Sequence, residues 1–540
     1  MKDISSTGSF VDFTLENFIY VDKTVYIPQL VKLKRVFISR PRRFGKSLTL
    51  DTIATLFETG VEPYFKGTWI YDKWTEPTYP VFRLSFLNLD NFSIDEFKSE
   101  LNSKITDFAN KISVKGYVEK SEPENSIEGL LERLREEKRQ IVFLIDEYDY
   151  QLTSNINNDD LYKQFQHKIK RFYANIKNKW AIKFLGITGV TRLKDVEIFS
   201  IGSDIRDITN ASAYSQMIGF TRDEIKKYYI DYLTLAASYE NNCSVDKVTD
   251  AQIESMLDMM AQNYDGYCFD EFYKKKVFST WSVNSFFQSI IENKFVYFDE
   301  YWYDNGGLPS ILVNYLKTHE LNIFEYLDKD KFLKVSSDDF KNPTALTTIN
   351  QNVLMCQTGY LTLRSDLKKS STVLLGIPNG EIYKALNRLL AKNIFKGNSD
   401  VTDDQGKNLL EVGSVDDIIN LFNCALNSVS YDNYPIVSES SVQNMLKLYL
   451  LGAHQEVLSE VHEAKGRADL VVNTDNKRIV FEFKYAKNET EAKSKLSEAV
   501  EQIKSRDYGN TEPKKAELLR IAAAFNADPK VRAFTEYQSV

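Results

Sequence analysis

The chain has 540 residues, too many for one hydrophobic core, and about 100–200 residues per domain divides it into roughly three. Its 43% hydrophobic and 27% charged content is that of a soluble globular protein and excludes a disordered one. A net charge of −8 excludes coating nucleic acid by bulk charge, though not through a local basic groove.

Cys243, Cys268, Cys356 and Cys424 form no CxxC pair, and four histidines are too few for a His-rich metal site. The N-terminal MKDISSTGSF is polar rather than signal-like, and no apolar run approaches the ~20 residues of a membrane span. The expected address is therefore the cytoplasm, with no membrane partner.

VFIS (36–39) reads as a short buried strand, and after Lys46 the residues Leu50, Ile53, Ala54 and Phe57 recur at helical spacing. Between them, RPRRFGKS holds a Gly-Lys-Ser, with Arg40 where the general phosphate-loop pattern has its first glycine. Gly45 lets the backbone approach an anion, Lys46 reaches outer phosphates and Ser47 can bind Mg²⁺. The candidate nucleotide-contacting run is Arg43, Phe44, Gly45, Lys46, Ser47 and Leu48. Arg42 and Arg43 are equally compatible with phosphate, a partner's nucleotide, DNA or solvent.

YPVFRLSF alternates as a strand, and Ile127, Leu130, Leu131 and Leu134 form a helical stripe. IVFLIDEYD (141–149) is a continuous apolar run ending in acids, the pattern of a central parallel strand. Asp146 and Glu147 then sit at its carboxyl edge, where ligands bind in open α/β sheets. Asp146 is the candidate Mg²⁺ ligand and Glu147 the candidate for polarising the attacking water. A helix over about 159–177 and a strand over 181–189 complete a parallel sheet with helices on both faces.

From about residue 214 the pattern is mainly helical, starting at the capping-box pair Thr221 and Glu224 of TRDEIKKYYIDYLTLAA. The polar GNSDVTDDQGKN (397–408) marks a boundary. The expected division is 1–213, 214–398 and 399–540. The last part returns to α/β, with helices near 438–450 and 490–506 around strands near 455–462, 467–473 and 477–485.

GRADLVVNTDNKRIVFEFKYAK (466–487) is predicted to be a hairpin. A turn centred on Thr474 and Asp475 pairs Val472 with Lys477 and Asp469 with Val480. Asp469, Glu482 and Lys484 then share one face, the two carboxylates as diagonal neighbours; an odd-numbered loop would put Asp469 on the other face. Two carboxylates and a lysine suit Mg²⁺ or Mn²⁺ and phosphodiester cleavage. A buried strand rarely carries such charges unless they are used, although a solvated hairpin with a Glu–Lys pair gives the same pattern.

The blocks YVDKTVYIPQL, FISRPRRFGKSL, VFLIDEYD and LGITGVTRL, followed in order by YDGYCF, YWYDNGG and CQTGYLTL, resemble the bacterial AAA-ATPase-like family of P-loop proteins. That family writes its loop with the same Arg-Pro-Arg-Arg-Phe-Gly-Lys-Ser, so Arg40 departs only from the general pattern. The resemblance implies ATP and Mg²⁺ as cofactors. It also points to Thr188 and Arg192 as γ-phosphate sensors, with a structural ion pair the other reading of Arg192. Asp22 and Lys23 belong to a motif of that family with no obvious chemical role here and read as structural.

Near the C-terminus, Gly466-Arg467, Asp469 and Glu482-Phe483-Lys484 resemble the PD-(D/E)XK nuclease core over roughly 436–515. The resemblance implies a preceding helical glutamate, for which Glu439 fits better than Glu460. It also implies a Gln and Tyr on the next helix, offered by Gln502 and Tyr508. The two resemblances together imply an ATP-hydrolysing protein coupled to Mg²⁺-dependent cleavage of DNA. The alternatives are an ATP-driven switch that binds nucleic acid or protein without cutting, and a slow signalling scaffold. A homo-oligomer is compatible with either.

Overall fold

A computed structural model describes all residues except 194–202, 305–309, 317–318, 320–321, 344, 396–404, 454, 464–465 and 511–514. The polar stretch taken as a boundary, 397–408, lies largely outside the described residues. The chain forms two compact units, Met1–Leu321 with Asp330–Ile382, and Asn322–Lys329 with Tyr383–Val540. Residues 1–213 and most of 214–398 lie in the first unit, and the boundary between the units falls within the helix Gly380–Ile394.

The first unit is built on a parallel sheet of β1 (Arg35–Ser39), β2 (Val81–Ser85), β3 (Ile141–Asp146), β4 (Ile182–Gly189) and the short β5 (Arg206–Asp207), in the order β2-β3-β4-β1-β5. All five residues of β1 and the first five of β3 are buried, as their continuous apolar sequences require. Helices Lys46–Thr59, Ile94–Lys111, Pro123–Glu136 and Asp159–Ile176 connect the strands. Stacked Phe82, Phe108 and Phe143 fill the space beside β2 and β3.

The remainder of this unit is mainly helical, around a core that includes Tyr229, Leu233, Met256, Phe286 and Phe287. The Thr221 capping box forms as its spacing predicts. The helix it starts is shorter than its sequence suggests, because Arg222–Tyr228 and Ile230–Glu240 are separate at Tyr229. Tyr229 stacks on Phe287 and donates its hydroxyl to buried Asn284, 2.6 Å away, so tertiary contacts at that residue outweigh helix continuity. The sequence reading missed a small antiparallel sheet of β6 (Leu333–Ser336), β7 (Thr362–Leu363) and β8 (Thr372–Gly376), whose strands are too short to show a period.

The second unit holds a mixed sheet of β9 (Glu456–Glu463), β10 (Gly466–Asn473), β11 (Lys477–Ala486), β12 (Glu517–Asn526) and β13 (Ala533–Ser539), paired in chain order. Only β11 and β12 pair in parallel, so the chain must cross over between them, and the helix Glu489–Arg506 makes that crossing. The helix Glu439–Gly452 packs against β9 and β11. No helix among the described residues is long and apolar enough to cross a membrane.

Candidate active sites

At the carboxyl edge of the first sheet, the chain leaves β1 at Ser39 and re-enters order at Lys46, the first residue of the helix Lys46–Thr59. Gly45 caps that helix at φ 98°, a left-handed conformation that favours glycine. Arg40 has no positive φ, so its position does not need the missing glycine. Its side chain turns inward instead, stacking on Phe269 at 4.1 Å and donating to the carbonyls of Ser39 at 2.9 Å and Thr209 at 2.6 Å. Burial pulls its guanidinium down to about 9.

Lys46 is buried and donates to the carbonyls of Arg40 and Pro41, both at 3.0 Å, inside the loop it closes. Burial lowers its pKa, opposed by the carboxylates of Asp146, Glu147 and Asp149. Ser47 is exposed, and its hydroxyl donates to Asp146 Oδ2 at 2.5 Å. Thr188, at the end of β4, donates to the other oxygen of the same carboxylate. Thus three strand ends, those of β1, β3 and β4, bring Ser47, Asp146 and Thr188 together. Glu147 follows Asp146 with φ 50° and is half-buried, and desolvation pushes its carboxyl up despite the nearby Lys46. Arg42 lies close enough to act on the charges of both Lys46 and Glu147.

Other predicted residues are placed differently. Arg192 pairs with Asp207 and donates to the carbonyl of Lys341. Phe44 is buried edge-on against Tyr267 and Phe269. Arg43, at φ 68°, stacks on Trp281 at 4.3 Å and reaches the carbonyls of Tyr301 and Trp302. Asp22 accepts from Thr24 and Trp69, and Lys23 donates to Glu224 at 2.6 Å, which are structural bonds.

Leu48 and Gly45 form one wall of a largely apolar cavity of about 150 Å³. Its other walls include Ser5, Tyr20, Phe220 and Trp281. Sequence reasoning missed this cavity, since nothing in MKDISSTGSF signals that it returns to the phosphate loop. Asp149 was missed too. It is buried and accepts from the Val190 and Thr191 amides at 3.3 and 2.6 Å and from the Thr191 hydroxyl at 2.5 Å.

In the second unit the hairpin forms with a different register from the expected one. Val472 pairs with Ile479, Val471 with Val480 and Leu470 with Phe481. The turn is centred on Asp475 and Asn476, closed by the Thr474 amide on the Lys477 carbonyl at 2.9 Å and by the Lys477 amide on the Thr474 hydroxyl at 3.0 Å. An Asp-Asn pair tolerates the tight turn better than Thr-Asp. The loop stays even-numbered, so Asp469, Glu482 and Lys484 still share a face. Continued one step, the register sets Asp469 opposite Glu482 rather than diagonal to it, and the Asp469 carboxylate accepts from the Phe483 amide at 2.8 Å.

Glu482 is fully buried, and its Oε2 has no hydrogen-bond partner. Desolvation, then repulsion from Asp469, pushes its carboxyl up to about 7, with Lys484 opposing. Lys484 donates to Glu482 at 2.8 Å, to the Phe483 carbonyl at 3.1 Å and to Glu439 at 3.4 Å. Burial would lower its pKa, but the carboxylates outweigh burial and raise it. Glu439 therefore joins the group from the start of its helix, whereas the side chain of Glu460 on β9 lies outside the described residues. Gln502 donates to the Tyr508 hydroxyl at 3.2 Å, and Tyr508 is buried among Ala468, Val480 and Ile503.

Among the described residues no three His, Cys, Asp or Glu side chains form a ready-made metal cage. The hairpin nevertheless fits a divalent ion. Two facing carboxylates, one with an orphaned buried oxygen, and an adjacent main-chain carbonyl are hard donors of the kind Mg²⁺ or Mn²⁺ takes.

Residues 5–199 match the family model described as "Predicted AAA-ATPase", and residues 437–534 match that of the PD-(D/E)XK nuclease superfamily. An "Uncharacterized protein in vnfD 5'region" of Azotobacter chroococcum mcd 1 is 25% identical over 520 residues, covering 94% of this chain and 92% of that protein. The crystal structure of Cdc6p from Pyrobaculum aerophilum aligns at 11% identity over 68% of this chain and 91% of that one. Its TM-score of 0.21 is too low to bear on the fold. The chain thus carries an ATPase-like domain and, toward its C-terminus, a nuclease-superfamily domain.

Proposed function

We propose that the protein binds and hydrolyses ATP and cleaves DNA in a metal-dependent reaction that nucleotide licenses. The observation that carries the reading is the grouping of Asp469, Glu482, Lys484 and Glu439 around a buried, unsatisfied carboxylate oxygen, in a chain whose Lys46–Ser47 loop meets the end of β3.

In the first site, backbone N–H groups after Gly45 and the Lys46 ammonium hold the phosphates, and the adjoining apolar cavity receives the base. Ser47 and Asp146 would hold Mg²⁺, which neutralises phosphate charge. Glu147, whose carboxylate burial makes more basic, accepts a proton from the attacking water. Thr188 fixes the Asp146 carboxylate by its hydroxyl bond.

In the second site, Asp469, Glu482 and the Phe483 carbonyl would hold a divalent cation, which offsets the charge of the scissile phosphate. Lys484 orients the water that attacks phosphorus, and Glu439 holds Lys484. The water oxygen bonds to phosphorus, the P–O bond to one sugar oxygen breaks, and the water's proton ends on the departing sugar oxygen as its hydroxyl.

A second reading, an ATP-driven switch that binds nucleic acid or protein without cutting, is favoured by the lack of a three-ligand metal cage among the described residues. Purified protein incubated with Mg²⁺ and linear, circular and single-stranded DNA, with and without ATP, decides between them. Asp469→Ala is expected to abolish cleavage and leave ATP turnover largely intact. Lys46→Ala is expected to lose nucleotide binding and, with it, licensed cleavage. ATP turnover by the wild type with no cleavage of any of the three substrates would overturn the nuclease reading in favour of the switch.

A further inference from the structure

Arg43 of the phosphate loop is clasped from two sides. The helix Thr280–Asn293 supplies the Thr280 hydroxyl, 2.9 Å from the Arg43 carbonyl, and the Trp281 ring beneath the guanidinium. The short helix Tyr301–Asp304 supplies the carbonyls of Tyr301 and Trp302 to the same guanidinium at 3.4 and 3.3 Å. Both sides are tied together behind the loop by Glu381, in the first turn of the helix Gly380–Ile394. Its Oε2 accepts from the Ser282 hydroxyl at 2.7 Å, and its Oε1 accepts from the Trp302 amide at 2.7 Å.

We propose that Glu381 is a positioning residue for the phosphate loop, holding Arg43 through Ser282 and Trp302, and that its ionisation works against an anionic nucleotide bound there. The inference rests on the nucleotide reading above. Glu381 is buried, and its neighbours are specific. Glu300 and Asp299 precede the helix Tyr301–Asp304, Tyr264, Tyr267 and Tyr301 stand near its charge, and Arg43 feels that charge from the loop. Burial pushes the Glu381 carboxyl up to about 8, helped by Glu300 and Asp299 and opposed by the Ser282 and Trp302 donors.

The sign follows from linkage. A triphosphate held by Lys46 and the backbone after Gly45 adds negative charge to the loop that carries Arg43 and disfavours the ionised form of Glu381. Ionising Glu381 must therefore weaken binding by the same factor. Nucleotide affinity should fall as pH rises through about 8.

The test measures affinity of the full chain for a fluorescent ATP analogue with Mg²⁺, from about pH 6 to 10. Lys46 and the nucleotide itself also titrate, but equally in wild type and Glu381→Gln, so the difference between the two curves reads Glu381. Wild-type affinity is expected to fall about fivefold or more beyond the fall in Glu381→Gln. Superimposed curves would overturn the inference. Ser282→Ala gives an independent check. Removing a donor to the carboxylate raises its pKa, so the fall should move to higher pH, and an unmoved fall would also overturn it. No binding by wild type at any pH would sink the nucleotide reading itself, a distinct outcome.

Discussion

Asp149 accepts three hydrogen bonds from the turn that follows β4, inside a fully desolvated pocket. Removing it strands three donors, so Asp149→Ala is expected to destabilise the protein by about 2–4 kcal/mol. Urea unfolding of the full chain measures this, and a loss below about 1 kcal/mol would mean that water replaces the carboxylate. Its neighbour Asp146 lies two strands from the phosphate loop yet meets Ser47. Both acids end the same apolar run, so the sequence shows their location but not their division of labour. That depends on Thr191 and Ser47, each dozens of residues away. Arg40 was legible only as an anomaly. Its burial against Phe269 explains why the chain tolerates an arginine where a phosphate loop usually has glycine.

The hairpin of β10 and β11 shows what alternation can and cannot tell. Period-two patterning fixes which side chains share a face, and a slip of two residues leaves that face unchanged. Asp469, Glu482 and Lys484 were therefore legible as a group, while the turn and the exact facing of the carboxylates were not. β12 and β13 were both missed; in β12 the three alanines of ELLRIAAAFN carry little strand signal. The orphaned oxygen of Glu482 makes a prediction at this level. Mn²⁺ or Mg²⁺ should raise the melting temperature of the wild type in a saturable way, and EDTA should reverse the rise. Asp469→Ala should abolish the response, whereas an equal response in that variant would place the ion elsewhere.

For the molecule as a whole, the parallel sheet was readable because its strands are long, apolar and separated by periodic helices. The grouping into units was not. Contacts such as Thr280 on Arg43 join the helical part to the phosphate loop, and no local pattern announces a contact over more than two hundred residues. Each unit has its own sheet and buried core. Scanning calorimetry is therefore expected to resolve two transitions. A non-hydrolysable ATP analogue should raise one, and it should leave that transition unmoved in Lys46→Ala. A single transition raised as a block by nucleotide would show that the units melt as one.

The first few residues carry a practical consequence. Tyr232 bonds the carbonyl of Lys2, and Asn284 bonds that of Ser5, so this polar stretch is a wall of the cavity beside the phosphate loop. Trimming it for crystallisation would alter the chamber whose ligand is sought. A handle at the opposite terminus leaves that wall intact.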